Sequence, residues 1–64
     1  MNKAIFIYLQ NKEYFFEISK EIILNNHSFG NLTKITCSDT EIILVTETGS
    51  ILAFYNVSFI IIQK

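Results

Sequence analysis

Residues 41–63, EIILVTETGSILAFYNVSFIIIQ, contain three apolar runs that decide the fold of this 64-residue chain. The runs are rich in β-branched and aromatic residues, which favour strands over helices. They span Ile42–Val45, Ile51–Tyr55 and Val57–Ile62. Gly49 lies between the first two runs, where a tight turn needs a positive φ, and Asn56 indicates a sharp bend or bulge before the third. The stretch therefore predicts three consecutive strands.

The first two runs do not alternate between apolar and polar residues. In the first, Ile42 and Leu44 face one side of the strand while Ile43 and Val45 face the other, so both of its faces are apolar. A strand of this kind is buried on both faces, either by its own fold or by a partner. We therefore expect subunit contacts along this stretch, residues 41–63. The candidate contact residues are Ile43, Val45, Phe54 and Ile60.

The composition points to self-association. Half of the residues are hydrophobic (50%) and 14% are aromatic, in a chain whose length allows one small β domain spanning residues 1–64. A chain of this size buries only about 60% of the surface that its unfolded form exposes. Large apolar patches left outside usually mark contact surfaces. These features predict a homo-oligomer.

Charge and targeting signals are weak. The net charge is −1, the chain has no arginine, and the calculated pI is about 5.6. Bulk electrostatics therefore attract neither nucleic acid nor an anionic membrane. The apolar run 4–9 is short for a signal peptide, and no run reaches the ~18 to 20 residues needed to cross a bilayer. A single cysteine excludes an internal disulfide and fits a reducing compartment. We expect a soluble cytoplasmic protein without a membrane partner.

The N-terminal half predicts a hairpin with one open alternative. Residues 4–10 and Glu13–Ser19 read as strands joined by a turn at Asn11-Lys12. Asn11 could instead cap a single helix within residues 12–25. The aromatic and β-branched content favours the strand. Downstream, residues 25–31 are predicted to be a loop, because turn-forming residues dominate them, and residues 32–38 a further strand.

The predicted fold is therefore all-β, a small antiparallel meander, barrel or sandwich of five to seven short strands. One internal repetition is visible within it. The tetrapeptide EIIL occurs at 21–24 and again at 41–44, each followed downstream by a glycine and then a leucine. Because the chain is rich in isoleucine and two copies do not make a solenoid, we attribute the repetition to chance.

Short segments of 41–63 resemble two known families. EIIL, TETGSI and IIIQ are similar to the trp RNA-binding attenuation protein family, and IILVTETGSIL resembles small β-rich sporulation proteins. The first family reads RNA with a basic strand, whereas this chain has Ala53-Phe54-Tyr55 at the corresponding positions. No functional residue is carried over from either family.

Catalytic and metal chemistry find little support in the sequence. His27, on the predicted loop, and Cys37, on a strand, could form a thiol–imidazole pair across a hairpin, but their spacing does not require it. The carboxylates fall at strand ends or on polar faces, and one histidine and one cysteine do not supply a metal ligand set. Gly30 and Gly49 are isolated, so no phosphate-binding loop is indicated. We expect a non-enzymatic protein without metal or cofactor.

Binding is the favoured function. The chain reads as a small bacterial or phage accessory regulator or inhibitor that works as a homo-oligomer and binds a partner protein or small ligand. The alternative is an oligomeric binder of single-stranded RNA or nucleotides that uses aromatic side chains beside lysines. That surface would draw on Tyr8, Tyr14, Phe15, Phe29, Lys3, Lys12, Lys20 and Lys34. The candidate ligand-binding residues are Tyr8, Tyr14, His27, Phe29 and Lys34.

Overall fold

A computed structural model describes residues 3–63 and shows two antiparallel sheets, with no helix in that range. In chain order the strands are β1 (Lys3–Leu9), β2 (Lys12–Glu17), β3 (Glu21–Leu24), β4 (His27–Cys37), β5 (Glu41–Thr46), β6 (Ile51–Tyr55) and β7 (Ser58–Gln63). One sheet has the order β2-β1-β7 and the other β3-β4-β5-β6. The predicted small antiparallel all-β fold is confirmed, and residues 1, 2 and 64 of the predicted domain lie outside the described range.

The alternative of a helix within 12–25 is wrong, because this segment forms β2, a connection and β3. The cause is visible in the side-chain pattern of β2. Tyr14 and Phe16 face the interior, while Glu13, Phe15 and Glu17 face outward. A period of two residues buries Phe16 on one face of a sheet, and a helix would have scattered these side chains around its axis.

Two tight turns differ from their predicted positions. The β1–β2 turn is Gln10-Asn11 rather than Asn11-Lys12, with φ values of 52° and 62°. The β3–β4 turn is Asn25-Asn26, with φ values of 52° and 63°, so the predicted loop at 25–31 is wrong beyond its first two residues. Positive φ at both central positions gives the turn twist that matches paired strands, and asparagine tolerates it.

Strand β4 is long and irregular. It pairs with β3 through its first half and with β5 through its second half. Each of the two pairings contains one β-bulge, where an extra residue of β4 has no partner on the neighbouring strand. The extra residue is Phe29 in the pairing with β3 and Thr33 in the pairing with β5. One of the two sheets is curled into a half-barrel. Bulges bend a strand and increase its twist, so the two bulges of β4 favour curvature of the four-stranded sheet.

The turn between β5 and β6 packs on the first bulge of β4. The Thr48 hydroxyl donates a hydrogen bond to the Phe29 carbonyl (2.8 Å), and the Glu47 amide donates one to the Asn31 carbonyl (2.9 Å). Gly30 has φ 91°, and a Cβ there would lie 2.7 Å from Thr48 Cγ2. Glycine is therefore favoured at position 30 for two reasons. It adopts a positive φ without strain, and it has no Cβ to overlap with Thr48.

The core lies between the two sheets and draws on both. Its fully buried side chains include Ile5 and Ile7 from β1, Leu32 from β4, and Ile42 and Leu44 from β5. The accessible surface of 4520 Å² is close to the roughly 4200 Å² expected for a folded monomer of this mass. The chain is therefore compact, and apolar side chains on its outside do not reflect loose packing.

Candidate functional site

The outer face of the three-stranded sheet is apolar and rich in aromatic rings. We call it the aromatic face, and it consists of Phe6, Tyr8, Phe15, Ile60 and Ile62. Phe6 of the central strand lies opposite Phe15 on one side and Ile60 on the other. The Phe6 and Phe15 ring centroids are 4.7 Å apart. Phe15 and Ile60 remain 50% and 53% exposed, so this surface is uncovered in the single chain.

Carboxylates flank the aromatic face along β2. Glu13 and Glu17 point outward on either side of Phe15. Hydrogen bonding to Glu13, its partner across the hairpin, raises the pKa of the Tyr8 phenol, and the negative charge of Glu13 adds to this effect. Tyr8 thus adds a hydrogen-bonding group to the rim of this apolar face.

The outer face of the four-stranded sheet is also apolar. We call it the aliphatic face, and it consists of Ile43, Val45, Ile51, Ala53 and Tyr55 from the adjacent strands β5 and β6. Ile51 and Tyr55 are 68% and 63% exposed. On the neighbouring strand β4 this outer face carries polar side chains. The apolar part of the face is therefore confined to strands β5 and β6.

The predicted contact residues divide between three environments. Ile43 and Val45 lie half-buried on the aliphatic face, and Ile60 lies on the aromatic face. Phe54 points inward instead, with its ring centroid 6.1 Å from that of Phe16, and packs against the core. The residues on either side of it in β6 point outward and are exposed on the aliphatic face.

A cleft of about 250 Å³ opens where the two N-terminal hairpins approach β6. It is lined by Leu9, Lys12, Tyr14, Ile23, Leu24, Asn25 and Phe54. Of these residues, Tyr14 is one of the five predicted ligand residues, Lys12 belongs to the alternative RNA-binding surface and Phe54 to the predicted subunit contacts. The alternation of side chains along a strand predicts that Tyr14 and Phe54 point to the interior side of their sheets. It does not predict that three segments distant in sequence meet to form a cleft.

The five predicted ligand residues are not brought together. Tyr8 and Tyr14 lie on opposite faces of the three-stranded sheet. His27 and Phe29 form an edge-to-face pair on β4, with ring centroids 4.6 Å apart. Lys34 lies opposite Val45 on the outside of the other sheet. Only Tyr14 lines the cleft.

The two nucleophile and base candidates lie far apart. His27 begins the 11-residue strand β4 and Cys37 ends it, so no thiol–imidazole pair forms across a hairpin. Burial raises the pKa of the Cys37 thiol, although the charge of Lys3 partly opposes this. Such a thiol is less nucleophilic at neutral pH than a free cysteine. Within residues 3–63, no cluster of three or more histidine, cysteine or acidic residues is arranged to hold a metal ion.

Over the described range the structure has no helix long and apolar enough to cross a membrane. The chain matches no family model, and no curated protein or solved structure is significantly similar to it.

Proposed function

We propose that the protein is a non-catalytic binding protein that assembles with copies of itself and acts as a regulator or inhibitor. In this proposal the assembly holds a partner protein or a small ligand. The observation that carries the proposal is the pair of apolar outer faces, one on each sheet of a chain whose core is already complete. Large uncovered apolar patches on compact chains mark contact surfaces.

A stable subunit contact would cover only part of the surface of this chain. A standard interface buries about 800 Å² on each partner, which is less than a fifth of the 4520 Å² surface of this chain. The aromatic face has the composition that such contacts favour, with two phenylalanines beside Ile60 at its centre and a tyrosine and carboxylates at its rim. A second copy of the chain is the occupant that we propose for it.

Sedimentation velocity and native mass spectrometry at micromolar concentration test the assembly. We expect the unmodified chain to be larger than a monomer. Ile60→Lys and Ile43→Lys each place a charge on one outer face, and at least one should shift the protein to monomer while its circular dichroism is retained. Thr40→Lys adds the same charge in the exposed β4–β5 turn and serves as the control. A stable monomer for the unmodified chain would contradict the proposal.

The RNA- or nucleotide-binding alternative stays a prediction with less support from side-chain placement. Lys12 lies on the opposite face of β2 from Phe15, and Lys34 lies on the other sheet. The charges beside the aromatic face are instead those of Glu13 and Glu17. A gel shift of single-stranded RNA that weakens with added salt would favour the alternative, whereas no retardation at low salt would leave the first proposal in place.

A further inference from the structure

One wall of the cleft is aromatic. Tyr14 and Phe54 both line it, and Phe16 connects them behind the wall. The Tyr14 and Phe16 rings are nearly parallel, at 3° with centroids 6.2 Å apart, and the Phe16 and Phe54 rings are tilted by 38° at 6.1 Å. Each ring is thus held by its neighbour. A wall of supported rings offers a flat ligand a surface on which to stack.

The rest of the cleft wall is aliphatic. Leu9 comes from the end of β1, and Ile23 and Leu24 come from β3. Leu24 also packs against the core cluster. An apolar ligand body placed between these side chains and the aromatic wall would lose part of its contact with water, and such burial is the main source of affinity in small pockets.

The polar groups of the cleft carry one charge, and it is positive. The Lys12 ammonium lies 5.6 Å from the centroid of the Tyr14 ring, within the range of a cation–π interaction. Asn25 and the Tyr14 hydroxyl add neutral hydrogen-bonding groups, and none of the described acidic residues lines the cleft. The cleft is therefore suited to an anion whose charge lies beside Lys12.

The volume limits the ligand to a small molecule. A cleft of about 250 Å³ is smaller than most pockets for drug-sized ligands, which have volumes of about 300 to 1,000 Å³. We propose that the cleft binds a small monocyclic aromatic carboxylate, with its ring against Tyr14 and Phe54 and its carboxylate toward Lys12. The inference rests on the proposed function, because it names the class of small ligand that the binding protein would take.

An NMR titration of the full chain with benzoate tests the site. We expect saturable amide shifts at β3 and at both hairpin turns, with a dissociation constant on the order of a millimolar for so small a ligand. Benzamide has the same ring without the charge and should bind about fivefold more weakly, the effect of one exposed charge pair. Absence of saturable shifts with benzoate at about 20 mM, well above that constant, would overturn the proposal.

Two variants separate the charge from the ring. Lys12→Gln should bring benzoate affinity down to that of benzamide, while Lys20→Gln, in the β2–β3 connection away from the cleft, should leave the preference unchanged. Tyr14→Leu should weaken both ligands. Equal binding of benzoate and benzamide by the unmodified chain would refute the assigned role of Lys12 and with it the proposal.

The same titration distinguishes this site from the assembly. Benzoate binding by the Ile60→Lys variant would place the site within one chain, independent of subunit contacts. If the protein is monomeric and binds benzoate, the assembly proposal fails and the cleft proposal stands. If it assembles and does not bind benzoate, the cleft proposal alone fails.

Discussion

The tetrapeptide EIIL occurs twice, and its two copies have different environments. Both copies form a strand, and in both the second residue is buried, with exposures of 2% for Ile22 and 0% for Ile42. The other positions diverge. Leu44 is fully buried whereas Leu24 is half-buried, and Ile23 is 58% exposed whereas its counterpart in β5 is half-buried.

The difference follows from position in the sheet. Strand β3 is at an edge and pairs only with β4, whereas β5 is bonded on both sides. The local sequence thus determines that a strand forms and which face of it turns inward. The neighbouring strands determine how deeply each side chain is buried. The same substitution made at equivalent positions of the two copies therefore measures how much the neighbouring strands contribute to stability.

The largest expected difference is at the fourth position. Leu44→Ala should lower the free energy of unfolding by about 3 kcal/mol, because it leaves a cavity among fully buried side chains. Leu24→Ala should cost about 1 kcal/mol, because that side chain is already partly hydrated. Urea denaturation of both variants at one protein concentration measures the difference. Equal costs would mean that the edge strand is as tightly packed as the central one.

A second comparison concerns the glycines that follow the two copies. Gly30→Ala and Gly49→Ala both place a side chain at positive φ, which costs about 1 to 2 kcal/mol. Gly30→Ala should cost about 1 kcal/mol more, because its Cβ meets Thr48 Cγ2 while nothing lies within 4 Å at Gly49.

Thermal unfolding of the two glycine variants measures the difference. Thr48→Ser, which removes Cγ2 and keeps the hydroxyl, should recover part of the extra cost in the Gly30→Ala background and leave Gly49→Ala unchanged. Absence of any rescue would show that the overlap with Thr48 is not the source of the difference.

The smallest expected difference is at the second position. Ile22→Val and Ile42→Val should each cost about 1 kcal/mol and agree within a few tenths, because both side chains are almost fully buried. Urea denaturation checks this agreement, and native-state hydrogen exchange reports whether β3 opens separately from β5. A markedly lower cost for Ile22→Val would indicate that the edge strand is frayed.

Much of the strand pattern could be predicted from the sequence. The three C-terminal strands agree with prediction to within one residue at each end, since Ile, Val, Phe and Tyr dominate them. The β4 bulges escaped prediction. Phe29 and Gly30 interrupt the alternation there, so a paired segment looked like a loop. The predicted position of the β1–β2 turn is one residue later than the observed turn at Gln10-Asn11, because glutamine rarely adopts positive φ.

The candidate site was less accessible to sequence reasoning. Apolar outer faces could be predicted because residues adjacent in sequence, such as Ile42 and Ile43, point in opposite directions. The inward direction of Phe54 follows from the same alternation once its register with Ile42 is known. The cleft depends on how the curled sheet lies against the β1–β2 hairpin, which no local pattern encodes.

The pairing of β1 with β7 has a consequence for the order of folding. Lys3 pairs with Gln63, sixty positions later, whereas Leu9 pairs with Lys12 across a two-residue turn. Contacts so distant in sequence form slowly, since a long loop must close before they gain any energy. During synthesis β7 is the last of the described strands to emerge, and it brings Ile60 with it. Ile60 and Ile62 are thus the last part of the aromatic face to be synthesised, and we expect the complete face, and the association that we propose for it, only after β7 has paired with β1.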